Sequence, residues 1–260
     1  MDNVSLKIAA LATGSKGNVS YITSSYSKIL IDAGITAVNI EKKLSEFNIN
    51  PDELDGILIT HTHTDHTAGL KVFLKKYHTK VYLSKKMYNE LFSYITNYEI
   101  IDDEFIINDL NIKVIKLSHD TDDVNGYIIE NNDNSIVYIT DTGYINRKYF
   151  DLLKNRDIYV IESNHDVEML MNGNRPYHIK QRILGDRGHL NNEETANYLA
   201  KFIGPKTKKI ILIHLSEDNN TPSLAKKTLE DVLNKNNIDF HDIIISTQNE
   251  STELVSIWLR

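Results

Sequence analysis

Apolar positions along the chain follow two rhythms, and the switches between them predict the elements. Residues 5–12, 19–23 and 28–32 are short apolar runs of strand length, the first two separated by the small-residue loop Thr13-Gly14-Ser15-Lys16-Gly17-Asn18. They predict a strand and a hairpin, and the glycines leave room for close approach of the main chain to a bound group. Over 37–47 the spacing becomes helical in Val38, Ile40, Leu44 and Phe47, and Pro51 marks the end of the connection. The apolar run Ile57-Leu58-Ile59-Thr60 predicts a strand, 66–76 a helix with Leu70, Phe73 and Leu74 on one face, 80–83 a strand, and 84–97 a second amphipathic helix.

From 99 to 140 the period changes to two, and 105–107, 112–117, 126–130 and 135–140 read as consecutive antiparallel strands. The remainder alternates: a helix over 146–154, a strand over 157–161, helices over 165–171 and 176–184, and a helix from an Asn191/Asn192 cap through Phe202. A strand over 209–213, a helix over 222–235 opened by Pro222, and strands near 243–245 and 253–258 complete the series. No fixed-period repeat, low-complexity tract or Pro/Gly-rich linker interrupts it. A single domain over 1–260 is expected, since 260 residues can share one sizeable core.

Composition narrows the class. Hydrophobic residues make up 41% and charged residues 25%, the usage of a folded globular chain. No apolar stretch reaches the roughly 18 residues that span a bilayer, and Met1-Asp2-Asn3 lacks the basic start of a signal peptide, so a cytoplasmic protein without membrane contact is expected. Cysteine is absent, which excludes disulfides, thiolate metal sites and a cysteine nucleophile. Any metal must be held by His and carboxylates. The net charge of −7 argues against wholesale adhesion to nucleic acid but leaves room for a local basic groove.

Candidate chemistry gathers where apolar strands stop. His61-Thr62-His63-Thr64-Asp65-His66 places three imidazoles and a carboxylate within six residues, directly after the strand ending at Thr60. His61 and His63 project to one side of an extended segment and can share one ion, while Asp65 and His66 fall at the turn into a helix and can serve a second. Four further strands stop at His119, Asp141, Glu162 and His214, and Asp32 ends the hairpin in Ile31-Asp32-Ala33-Gly34, where it can brace the metal loop. Strand ends along one sheet edge are where α/β architectures collect sites.

With these residues the chain resembles the metallo-β-lactamase fold superfamily over essentially its whole length. The resemblance implies a four-layer αββα sandwich of α/β class, with the metal site at one edge of two mixed sheets. It implies that His61, His63 and His119 hold one divalent ion, that Asp65, His66 and His214 hold another, and that Asp141 bridges them. Zinc and manganese both suit such imidazole and carboxylate ligands. More narrowly, Gly14-Ser15-Lys16-Gly17-Asn18, Glu162-Ser163-Asn164-His165-Asp166, Lys180-Gln181-Arg182-Ile183, Gly188-His189-Leu190 and His214-Leu215-Ser216 are similar to the YycJ (WalJ) branch, which implies a 5′-3′ exonuclease that prefers DNA. The order Glu162, His189, His214 is also similar to ribonuclease Z, but no counterpart of that family's tRNA-clamping arm is evident.

The implied reaction suits the residues. Phosphodiester hydrolysis needs a strong nucleophile and charge neutralisation, and two metals about 3.5–4 Å apart supply both by holding a hydroxide between them. Asp65 is expected to take part in catalysis as well as ligation, and His189, oriented by Glu162, to protonate or stabilise the leaving oxygen. Between Met171 and Leu190 lie Arg175, Lys180, Arg182 and Arg187 against the single acid Asp186, a segment that could track phosphates; His165 could reach the same site. Two alternatives stay open: a glyoxalase II-type hydrolase of small thioesters or esters, and a metal-stabilised regulatory protein that turns nothing over. No sequence feature demands a second copy of the chain.

Overall fold

In the computed structural model, which describes residues 6–132, 134–248 and 250–256, the apolar runs build two seven-stranded sheets. The first half contributes β1 (Lys7–Ala12), β2 (Val19–Thr23), β3 (Lys28–Ile31), α1 (Ala37–Ser45), β4 (Gly56–Leu58), α2 (Thr64–Thr67), α3 (Leu70–Tyr77), β5 (Val81–Leu83), α4 (Lys85–Leu91) and β6 (Tyr98–Ile100). The second contributes β7 (Glu104–Ile107), β8 (Leu110–Lys116), β9 (Asn125–Glu130), β10 (Ser135–Ile139), α5 (Phe150–Leu153), β11 (Ile158–Glu162), α6 (Val167–Asn172) and α7 (Tyr177–Leu184). It continues with α8 (Asn192–Phe202), β12 (Lys209–Ile213), α9 (Pro222–Lys235) and β13 (Ile243–Ile245), and β14 (Val255–Ser256) returns to pair antiparallel with β1. The strand orders are β14-β1-β2-β3-β4-β5-β6 and β13-β12-β11-β10-β9-β8-β7.

Period-two alternation explains the layering. In β3, Ile29 and Ile31 enter the core between the sheets, with Ile112, Ile129 and Val160, while Leu30 faces the other way onto Ile40, Leu44 and Phe73 of α1 and α3. In β12, Ile211 and Ile213 join the inner core and Ile210 and Leu212 pack on Leu199, Phe202 and Leu229 of α8 and α9. Such strands are apolar on both faces because both faces are covered, each fully buried side chain contributing roughly 1.5–3 kcal/mol. Helix, sheet, sheet, helix is the αββα sandwich that the resemblance implies.

Strand direction then fixes the site. β3, β4 and β5 run parallel, as do β10, β11 and β12. β8 and β10 each pair antiparallel with β9, so they too point the same way. The segments following β3, β4, β8, β10, β11 and β12 therefore meet along one edge. Hydrogen bonds sew the two sheets together there: Asn125 N donates to Thr60 O at 2.8 Å, Tyr127 Oη to Ile59 O at 2.6 Å, and His214 N to Thr13 Oγ1 at 2.7 Å.

Several element bounds differ from the sequence reading. The helix expected over 66–76 divides at Gly69, where any Cβ would overlap Ile35 O. The helix expected over 84–97 stops at Leu91, and 98–100 form an unforeseen edge strand that pairs Val81 with Tyr98. The helix expected to start at 165 starts at Val167, because the Asp166 side chain accepts from Met169 N at 2.8 Å and caps it. The terminal strand expected over 253–258 is described at Val255–Ser256; 257 and 258 lie outside the described residues.

Candidate metal centre

The sharp turn after β4 carries His61, His63, Asp65 and His66 into a space where ligand atoms converge. One atom from each of His61, His63 and His119 falls within 4.8 Å of the others, and the same holds for Asp65, His66 and His214. Asp141 stands between these trios, its Oδ2 at 3.1 Å from His66 Nε2 and its Oδ1 at 3.8 Å from His119 Nε2 and 3.4 Å from His214 Nδ1. Asp32, Asp141 and His214 all adopt positive φ, a left-handed backbone that Asp and His tolerate better than most residues, and it turns each chain sharply at its strand end.

Outer hydrogen bonds fix the ring orientations. His66 Nδ1 donates to Asp32 Oδ2 at 2.7 Å, and Asp32 also accepts from Thr60 N at 2.8 Å and Thr60 Oγ1 at 2.7 Å. His119 Nδ1 donates to Gly188 O at 2.9 Å. In both rings Nε2 is left to face the cluster. Asn18 holds the turn from the other side, its amide group bonding Gly14 N at 2.8 Å and lying 3.0 Å from His66 Nε2. The glycine loop thus braces Asp65 and His66 as well as contributing Ser15 to the cleft wall.

Charge in this buried cluster favours a cation. Burial holds the His61 imidazole well below its usual pKa, helped by the neighbouring His66 charge, and burial lowers His63 and His119 too. Burial would also lower His66, but the Asp32 and Asp141 carboxylates raise it well above the usual value. Burial opposes ionisation of Asp141, yet His214 and His66 pull it well below the usual carboxylate range. His61, His63 and His119, kept neutral by burial, face an ionised carboxylate, a donor set that a divalent ion takes, and His66 would give up its proton on binding one. His214 Nε2 is buried without a partner, an open donor in the same place, so the residues fit metal ions.

Glu162, at the end of β11, is fully buried and its oxygens are engaged: Oε1 accepts from Thr142 N at 2.6 Å and Leu190 N at 3.3 Å, and Oε2 lies 3.1 Å from His189 Nδ1 and 3.3 Å from His214 Nδ1. Burial would raise its carboxyl, but His189 brings it down to about 2. His189 in turn is raised above its usual value, with Glu162 outweighing burial. Asp141, Glu162, His189 and His214 also satisfy ligand distances as a group, but the four contacts already made by Glu162 favour an orienting part for it.

A cleft of about 290 Å³ opens over this cluster, with His189, Asn164 and Ser216 on its wall. Of the basic segment, Arg175, Arg182 and Arg187 line the cleft, and Lys180 does not. Lys180 is a correction to the sequence reading: its ammonium donates to Met171 O at 2.6 Å and Gly173 O at 2.7 Å and so closes the loop between α6 and α7. His165 is likewise absent from the wall; it is fully buried behind Asn164, and burial lowers it to about 4. Asp120 escaped the sequence reading. Its Oδ1 lies 3.3 Å from His63 Nε2 and 3.2 Å from His119 Nε2, while Oδ2 pairs with Arg182. Its adjacency to His119 was the available signal.

A family model described as a β-lactamase superfamily domain matches residues 27–215, and the chain belongs to that superfamily. Its class is that of metal-dependent hydrolases, in keeping with the His and Asp clusters. The chain is 38% identical over 238 residues to exodeoxyribonuclease WalJ of Streptococcus pneumoniae, covering 88% of each chain. It is 38% identical over 236 residues to exodeoxyribonuclease YycJ of Bacillus anthracis, covering 88% of this chain and 89% of that one. Among solved structures, the metallo-β-lactamase fold protein YhfI of Bacillus subtilis superposes with a TM-score of 0.75 at 14% identity, over 96% of this chain and 99% of that one, a likeness of fold. No described helix is long and apolar enough to cross a membrane.

Proposed function

We propose that this chain is a dinuclear metal-dependent phosphodiesterase that degrades DNA as an exonuclease, of 5′-3′ polarity by its resemblance to the YycJ branch. The observation that carries the reading is the convergence in one cleft of the His and Asp cluster, the His189–Glu162 pair and three arginines. The 38% identity to two proteins named exodeoxyribonucleases supports DNA as the substrate.

On this reading His61, His63 and His119 would hold one ion and Asp65, His66 and His214 the other, with Asp141 standing between the two sets. Two divalent ions, zinc or manganese, would neutralise phosphate charge and activate the attacking water. Asp65, part exposed at the cleft, orients that water. Arg182 and Arg187 neutralise the approaching phosphate, with Arg175 at the outer wall. His189, its Nδ1 proton held by Glu162, presents Nε2 to the leaving oxygen and donates a proton as the bond breaks.

End-labelled DNA, RNA of the same sequence and a lactoylglutathione-type thioester, assayed on one preparation loaded with manganese or zinc, test the substrate class. The reading expects stepwise release of nucleotides from DNA and little turnover of the thioester. Turnover of the thioester alone would replace it with the small-ester alternative, and hydrolysis of neither would leave the regulatory one.

A further inference from the structure

Beyond the cleft, on the outer side of the loop that carries Asp141, lies a second groove of about 520 Å³. Its walls include Tyr144, Arg147, Phe150, Asn197, Tyr198 and Lys201. The loop joins the two sites. Gly143 donates its amide to Ser118 O at 2.9 Å and packs against the Gly185-Asp186 turn at the end of α7, while Tyr144, 39% exposed, opens the groove. Asp141 and Tyr144 are three residues apart, so their Cα atoms lie within about 11 Å, the length of about three stacked nucleotides.

The groove's cations, like Arg187 of the cleft, carry no carboxylate partner among the described residues. Arg175 pairs with Asp218, Arg182 with Asp120, and Arg187 donates to His119 O and Thr121 O. Among the described residues neither Arg147 nor Lys201 forms an ion pair with a carboxylate. The Lys201 ammonium instead lies over the Phe150 and Tyr198 rings, at 5.9 and 5.6 Å from their centroids. The one acid in the groove wall, Glu194, is occupied by Asn191 N at 3.3 Å and Asn191 Nδ2 at 2.8 Å in the capping box of α8. An exposed aromatic ring, Tyr144, beside cations without carboxylate partners is the pattern that holds a flexible single strand, a base on the ring and phosphates on the cations. A chain of net charge −7 has no general need of such a patch.

We propose that this groove binds the single-stranded body of the DNA whose end lies in the cleft, with Tyr144 stacking a base and Arg147 and Lys201 holding backbone phosphates. The inference rests on the exonuclease reading and adds to it where the uncleaved strand runs.

The test compares KM on strands of about 4 and about 20 nucleotides, lengths below and above the reach of the groove. In the metal-loaded wild type the longer strand is expected to have the lower KM. Arg147→Glu with Lys201→Glu should raise KM on the long strand about tenfold and remove its advantage, with kcat retained. Tyr144→Ala should act in the same direction, and Tyr144→Phe should restore the wild-type value because it keeps the ring. Lys227→Glu, a charge change of equal sign on α9, should do nothing on either length. The groove is disproved if the double variant matches wild type on both lengths, or loses both equally. A wild type that degrades neither strand removes the exonuclease reading itself, and the groove with it.

Discussion

His66 Nδ1 donates to Asp32 Oδ2 across 2.7 Å, both side chains being fully buried, and this bond aims His66 Nε2 at Asp141. Asp32 also gathers the Thr60 amide and hydroxyl, so one carboxylate sets the start of the whole His61–His66 turn. Asp32→Asn keeps the size of the side chain but removes its charge. Metal affinity should fall about 10- to 100-fold, measured by competition with a chelator. Unchanged affinity would mean that Asp32 serves folding alone.

His189 and Glu162 satisfy both ligand distances and an acid-orienter geometry, and one variant separates the two. His189→Ala should lower kcat on DNA about 10²- to 10⁴-fold with the metal content of the protein unchanged. Loss of an ion from this variant would make His189 a ligand.

A Cβ at Gly34 would overlap the Asp65 carbonyl, which at this point also accepts from Asn18 N at 2.7 Å. Gly34→Ala must push the metal turn outward. The expected result is a loss of about 1–3 kcal/mol in stability together with weaker metal retention. Wild-type behaviour in both would show that the turn yields freely.

Acid stability offers a check remote from the metals. Burial would raise the Glu130 carboxyl, but Lys113 Nζ at 2.8 Å and the Arg156 guanidinium hold it below its usual value. A carboxylate with a lowered folded pKa stabilises above its unfolded value of about 4.3, and that contribution fades as pH falls through the folded value. Glu130→Gln should therefore unfold at a lower temperature than wild type at pH 7, and the gap should narrow as pH falls below the unfolded value and close as it passes through the lower folded one. A gap independent of pH would refute the ion-pair account.

What sequence made legible follows from the range of the forces involved. The His61–His66 cluster is local, and the continuous apolar runs of strands such as β3 and β12 stop at or just before His, Asp or Glu, so the gathering of chemistry at strand ends could be read in advance, while the sandwich followed from the resemblance those residues carry. The edge strand at Tyr98–Ile100 could not, because it forms through pairing with Val81 and through the stacking of Tyr98 on Tyr88, with centroids 4.2 Å apart. The same limit applies to the cations. Arg182 and Lys180 are two residues apart on one helix, yet one reaches Asp120 and the other turns inward to the carbonyls of Met171 and Gly173. Position on α7 relative to the cleft decides this, and charge patterning carries no record of it.

The central claim is that two ions act together in one phosphodiesterase cleft. Metal-free protein titrated with manganese, with ions per chain determined by elemental analysis and nucleotide release from end-labelled DNA followed in the same samples, tests it directly. The account predicts release that stays near background through the first equivalent and rises with the second. Full activity at one ion per chain, or none from a fully loaded protein, would contradict it.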